Sequence, residues 1–250
     1  MKVKIFFKAV DQIEESLIQE MWALYQKFYC YSEEYFRERI PTRNTHFAFF
    51  YDGDSLVGFT GLRINRIKPN GKRVLLLYFG QAAIEPAYRG KNLLRRMSIK
   101  IGMKYILDLI FSNGYCWMDA VSFKSYLFFA KSMAEFYPSR HEPTPPQERE
   151  VICQIGNTYY KDAFNPALGT VEKEVNFVTD PSAVITERHL SSPDIRFYAS
   201  VNPGYAQGHG LITVVPMSFK NLFHVVRTVI KRQGLLKRIP VLSSFRTSRA

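Results

Sequence analysis

An α/β (α+β) fold, a mixed and mostly antiparallel twisted sheet flanked by helices, is predicted by three observations. Apolar residues Ile13, Leu17, Met21, Leu24 and Phe28 recur at helical spacing, and strand-like runs follow them. Those runs are joined by short turns at Gly53-Asp54 and in KPNGK, residues 68–72, which makes consecutive strands antiparallel. Helical spacing then returns after Lys91, on the far side of the passage AAIEPAYRGKNLLRRM, residues 82–97.

The elements follow in order. KVKIFFKAV opens as a strand, and residues 11–40 read as two helices broken near Tyr31 and ended by Pro41. THFAFFYDGDSLVGFTGLRINRI is a hairpin, and RVLLLYFGQAAI is the third strand of an antiparallel run. From Lys91 to Phe111 a helix buries Leu94, Met97, Ile101, Tyr105 and Leu109, with Arg95, Arg96, Lys100 and Lys104 covering much of the rest. YCWMDAV is a strand and FKSYLFFAKSMAEF a short helix ending before Pro138. Residues 138–193 read as an insertion within a single domain of residues 1–250, opening with a helix that Thr144 caps and Gln147 completes as capping-box partner. IRFYASV and GLITVV read as two returning strands. Residues 217–250 form a basic C-terminal helix and tail, whose Phe219, Leu222, Phe223, Val226 and Ile230 should lie against the protein or a membrane.

At 250 residues and 46% hydrophobic, the chain can bury a core of its own. Cys30, Cys116 and Cys153 form no CxxC and the five histidines are scattered, so no spacing supports a zinc site or a disulfide framework. A reduced, cytoplasmic protein is expected, peripheral to a membrane at most, since no apolar run reaches the length of a span. The net charge of +12 is uneven, with nine Lys or Arg and no Asp or Glu from Ile195 to Ala250. A polyanionic cofactor, a membrane surface and nucleic acid would all be attracted, although no nucleic-acid motif is present.

The passage 82–97 sets a strand end, two cations and a helix start side by side, which is an anion cradle. It is neither GxxxxGK[ST], since Glu85 stands where the first glycine belongs and Asn92 follows Lys91, nor GxGxxG. A solvated helix start is the alternative reading of Arg-Gly-Lys alone. With a strand before it and a helix after it, IEPAYRG resembles the "V-x-P-x-Y-R-G" strand end of the GNAT superfamily of acyl-CoA-dependent N-acetyltransferases, through Ile84, Pro86, Tyr88, Arg89 and Gly90. The order of elements over residues 1–137 and the late strand pair resembles that family too. Asn92 and Leu94 depart from its small-residue pattern.

The resemblance implies transfer of an acetyl group from acetyl-CoA, or another acyl-CoA, to an amine by direct attack in a ternary complex. It implies that Arg89, Gly90, Lys91, Asn92, Leu93 and Leu94 hold the pyrophosphate, that Ser122 and Ser125 hold the pantetheine arm, and that an amide near Ala83 or Ile84 meets the developing oxyanion. Asp119 is the candidate base, with a helix cap as its alternative role, and Gln81 or Tyr78 could order a relay water. Tyr126 is the candidate acid for the thiolate, with a buried core tyrosine as its alternative. A longer acyl-CoA or an acyl carrier protein as donor, and a noncatalytic module binding membrane or nucleic acid, are the competing functions. The amine acceptor is left open.

Overall fold

A computed structural model describes residues 3–67, 74–105, 107, 114–173 and 179–232, with side chains to residue 228 in the last helix. Strand β1 (Lys4–Ala9) leads into helices α1 (Glu15–Tyr25) and α2 (Glu33–Arg43). The break between them is fixed by Ser32, whose hydroxyl accepts from the Tyr35 amide at 3.2 Å. Strands β2 (His46–Asp52), β3 (Ser55–Ile67) and β4 (Val74–Ile84) follow. Helix α3 (Leu93–Lys104), strand β5 (Tyr115–Ala120) and helix α4 (Phe123–Ser132) come next. Then come α5 (Pro146–Tyr159), the short strands β6 (Phe164–Asn165) and β7 (Thr170–Val171), and helices α6 (Glu187–Leu190) and α7 (Pro193–Val201). Strand β8 (Gly210–Pro216) and helix α8 (Phe219–Arg232) complete the described chain.

The strands form one sheet in the order β1-β2-β3-β4-β5-β8-β7-β6. All neighbours are antiparallel except β4 and β5, which are parallel and joined through α3. Period-two alternation divides the apolar residues between two faces. Phe47, Phe49 and Phe59 meet Leu17, Met21 and Phe36 of the first two helices, and Tyr78, Trp117 and Val214 meet Val151, Ile152 and Ile155 of α5. On the opposite face Phe50, Leu75 and Leu77 pack on Leu93, Met97 and Ile101 of α3. There too Met118, Leu211 and Val215 pack with Phe123, Phe129, Ile195 and Tyr198 of α4 and α7. Each such buried side chain contributes about 1.5–3 kcal/mol, so these faces fix the register of the sheet.

Four expectations are corrected. IRFYASV is helical, not a strand: Pro193 stands at its first turn, and Ile195 and Tyr198, three apart, are buried together. The outer strands of the return come instead from the 138–193 segment, whose β6–β7 hairpin pairs with β8. Helix α5 is preceded by Pro145 rather than capped by Thr144, and the Gln147 amide donates to the Tyr115 hydroxyl at 2.8 Å. Pro41 sits inside α2, which continues to Arg43. In α3 the deeply buried stripe begins at Leu93, with Leu94 half-buried beside it, while Leu109 and Phe111 lie outside the described residues.

Candidate functional site

Strands β4 and β5 pair only from Leu76–Tyr78 with Tyr115–Trp117, and beyond that they part. The cause lies in β4. Two of its residues stand against Thr60 of β3, a bulge in which Gln81 takes a left-handed backbone at φ 47°. Gln81 is held there by Asn44, which donates to its side-chain oxygen at 2.7 Å, and by its own amide donating to the Phe36 carbonyl. Both ends of the side chain are engaged in the core, so the relay role expected for Gln81 is corrected to a structural one.

Past the bulge, Ala83 is paired with Phe59 and the Glu85 amide donates to Val57, so Ile84 faces the open edge. Its carbonyl accepts from Arg89 Nε at 3.1 Å, and its N–H, on the same side of the strand, points into the cleft. Glu85 is bound to Lys27 at 2.6 Å, and the Ala82 carbonyl accepts from the Tyr29 hydroxyl at 3.2 Å.

The loop at the mouth of the cleft turns through two left-handed residues, Gly90 at φ 77° and Asn92 at φ 58°. Asn92 therefore does what glycine would do at this position. The first intrahelical bond of α3 runs from Arg96 to Asn92, which leaves the N–H groups of Leu93 and Leu94 without an intrahelical acceptor. A Cβ at Gly90 would meet open space, and Leu94 packs toward the core rather than across the loop. These residues fit a phosphate. Arg89 is committed elsewhere: it binds Asp180 at 2.7 Å and lies 4.6 Å from the Phe28 ring centre. The Lys91 ammonium sits 4.1 Å from the Tyr88 ring centre.

Asp180 belongs to a strap. Thr179 donates to the Phe28 carbonyl, the Lys124 ammonium lies 3.9 Å from Asp180, and Lys124 also donates to the Ser182 hydroxyl. The strap thus reaches from the end of α1, across Arg89, to the start of α4. Burial opposes ionisation of Asp180, but the Ser182 hydroxyl and amide and Arg89 hold its carboxyl below the usual range. Ser122 and Ser125 lie at the start of α4, where the Ser122 hydroxyl accepts from the Ser125 amide and the two hydroxyls are 3.3 Å apart.

Across the cleft Asp119 is nearly buried, its side chain 10% exposed. The Tyr78 hydroxyl donates to it at 3.1 Å, and Lys173 stands 3.7 Å from its other oxygen. The capping alternative for Asp119 is thereby set aside, since Ser122 caps α4. Burial, then the charge of Asp119, raises the Tyr78 and Tyr160 hydroxyls well above the ordinary tyrosine value. Burial pushes Tyr29 up to about 12, and Asp119 adds to the shift. Burial lowers the Lys173 ammonium while Asp119 opposes that. Its Nζ lies 5.3 Å from the Tyr160 ring centre. Arg39 lies 5.4 Å from the ring centres of both Tyr31 and Tyr35, and its buried Nε has no hydrogen-bond partner among the described residues.

Tyr126 stands apart from all of this. It is fully buried, and its hydroxyl donates to the Pro138 carbonyl at 3.2 Å. The expected acid role is corrected to a core role. The sequence reading missed Tyr29, Tyr31, Arg39, Tyr160 and Lys173, which come from three remote segments. The run of tyrosines from Tyr25 to Tyr35 was the available signal.

No protein-family model matches the sequence, and no curated protein matches it significantly. Among solved structures, the chain is similar to a probable N-acyltransferase of unknown function from Enterococcus faecalis V583. That match has 14% identity and a TM-score of 0.41, over 54% of this chain and 32% of the other, so it spans about a third of that protein. It is also similar to a ribosomal-protein-alanine N-acetyltransferase from Brucella melitensis biovar Abortus 2308, with 14% identity and a TM-score of 0.41, over 58% of this chain and 100% of the other. A third similarity is to an aminoglycoside acetyltransferase from an uncultured soil metagenomic sample, with 13% identity and a TM-score of 0.39, over 57% of this chain and 93% of the other.

Proposed function

We propose that this chain is a GNAT-like, acyl-CoA-dependent N-acetyltransferase that passes an acetyl group from acetyl-CoA directly to an amine. The observation that carries the reading is the parting of β4 and β5 between a left-handed amide loop on one side and Asp119 on the other. Acetyl-CoA, when bound, supplies an activated thioester carbonyl.

In this reading the amides of Leu93 and Leu94 and the turn at Gly90 bind phosphate oxygens. The Ile84 N–H, held on the open edge by the bulge, donates to the carbonyl oxygen as negative charge develops there. Asp119 takes the proton from the attacking amine, directly or through the Tyr78 hydroxyl. Tyr78 stays protonated near neutral pH, because burial and Asp119 both raise it. Lys173 balances the carboxylate charge where both side chains are largely buried. In the same reading Ser122 and Ser125, at the start of α4 directly after β5, hold the pantetheine arm. With Tyr126 withdrawn, the leaving thiolate takes its proton from solvent, and the proton held by Asp119 returns to solvent as the neutral amide leaves.

The acceptor enters on the face of α1 and α2, beside Tyr29, Tyr31 and Arg39. The test is calorimetric titration with acetyl-CoA, coenzyme A and a long-chain acyl-CoA, followed by a thiol-release assay over a panel of amines. Saturable binding of acetyl-CoA and coenzyme A, with amine-dependent thiol release lowered about 10²–10⁴-fold in Asp119→Asn, is expected. No binding of any acyl-CoA would overturn the proposal, and preference for the long-chain donor would replace acetyl by a longer acyl group.

A further inference from the structure

The final helix does not use its apolar face as a helix packed on a protein should. Asn221 is buried, with its amide and oxygen bonded to Ala134, Glu135 and Pro216, and Leu222 and Val225 line a cavity of about 290 Å³ between α3, α4 and α8. The stripe of Phe219, Phe223 and Val226 is turned outward, with exposures of 80%, 68% and 45%. Of the five apolar residues expected to share a packed face, only Leu222 points inward among the described side chains.

The stripe continues onto a second helix. Val226 and Met103 border the same cavity, so Met103, 62% exposed on α3, and Leu107, 67% exposed beyond the end of α3, extend the patch. Lys100 and Lys104 flank Met103 on that face of α3, and Arg227 flanks the phenylalanines on α8. Neither helix contains an Asp or a Glu. Lys220 is paired with Glu135 at 3.0 Å, whereas Lys100, Lys104 and Arg227 form no ion pair among the described residues.

We propose that this face binds the surface of an anionic lipid bilayer, with Phe219, Phe223, Val226 and Met103 entering the acyl boundary and Lys100, Lys104 and Arg227 meeting the headgroups. A band of aromatic and aliphatic side chains rimmed by cations is the chemistry of an interfacial helix. A second copy presenting the same patch would bring like charges together, and a purely ionic partner would leave the exposed phenylalanines without a role. The orientation places the patch on the α3/α4/α8 side of the sheet, opposite α1 and α2.

The experiment is sedimentation of the full chain with vesicles of mixed phosphatidylserine and phosphatidylcholine, and with phosphatidylcholine alone, over a range of salt. Binding to the mixed vesicles alone is expected, weakening as salt rises. Phe219→Ser with Phe223→Ser, and separately Lys104→Glu with Arg227→Glu, should each weaken it at least about tenfold, because a lost aromatic insertion or several lost ionic contacts is worth that much. All four side chains are exposed, so melting temperatures should stay unchanged; if the double serine variant unfolds, Phe223→Ser alone decides. Binding that ignores the serine substitutions would reduce the patch to its charge and overturn the proposal. So would equal binding to the neutral vesicles, or a concentration-dependent dimer that the serine variants abolish.

Discussion

At the scale of single residues, the candidate site depends on a glycine that no motif marks. Tyr78 lies back along β4 over Gly80, so that a Cβ at Gly80 would strike its hydroxyl. The Tyr78 ring, buried against Trp117, would have to shift with it, so Gly80→Ala should cost about 1–3 kcal/mol of stability. What it removes is the bond from Tyr78 to Asp119. The expected outcome is a kcat at least about tenfold lower with an unchanged coenzyme A affinity, read by steady-state kinetics beside calorimetry. Asp180 gives a second test. Its folded-state pKa is depressed, so its contribution to stability is present above the ordinary carboxylate value of about 4 and is lost as pH falls through the depressed one. Proteolysis at residues 179–182 should therefore rise in acid, and in Asp180→Asn it should be raised already at neutral pH. A cleavage rate independent of both would show that the strap is held by something other than this carboxylate. Little of this was legible in advance. Asp119 could be found because an acid ends an apolar strand, but Tyr29, Tyr160 and Lys173 meet it only through the sheet.

At the scale of elements, the helix start at Leu93 and the bulge at Gln81 are complementary devices. One turns amides outward at the mouth of the cleft, and the other frees the Ile84 edge inside it. Gly90→Val places a β-branched residue at φ 77°, at a cost of about 1–2 kcal/mol, and should weaken coenzyme A binding more than about tenfold by calorimetry. Unchanged affinity would remove the loop from the cofactor's contacts. The hairpins, α3 and β5 were legible because their periods are clean and their turns are marked by glycine or asparagine. IRFYASV was not, because its apolar residues fit a strand and a short helix equally, and only Pro193 and the pocket for Tyr198 decide between them. Phe219, Phe223 and Val226 were recognised as one face, but the direction of that face is set by Asn221, a polar residue that bonds inward.

At the scale of the molecule, the sheet is closed out of chain order. Strand β5 has β4 on one side and β8 on the other, and β8 in turn carries β7 and β6. The backbone of Tyr137 also bonds to Val214 in both directions. A chain ended at Pro138 therefore lacks the antiparallel partner of β5 and should be insoluble or uncooperative in thermal melting. A soluble, cooperative fragment would mean that the first five strands suffice. The same order constrains synthesis. On a ribosome adding about 5–20 residues per second, β5 emerges on the order of ten seconds before its antiparallel neighbour. For that interval Tyr115, Trp117 and Met118 stand on a bare hydrogen-bonding edge. A nascent chain stalled between residues 140 and 205 should be held by a chaperone that grips apolar strands, and should be let go once Pro216 is clear of the exit tunnel.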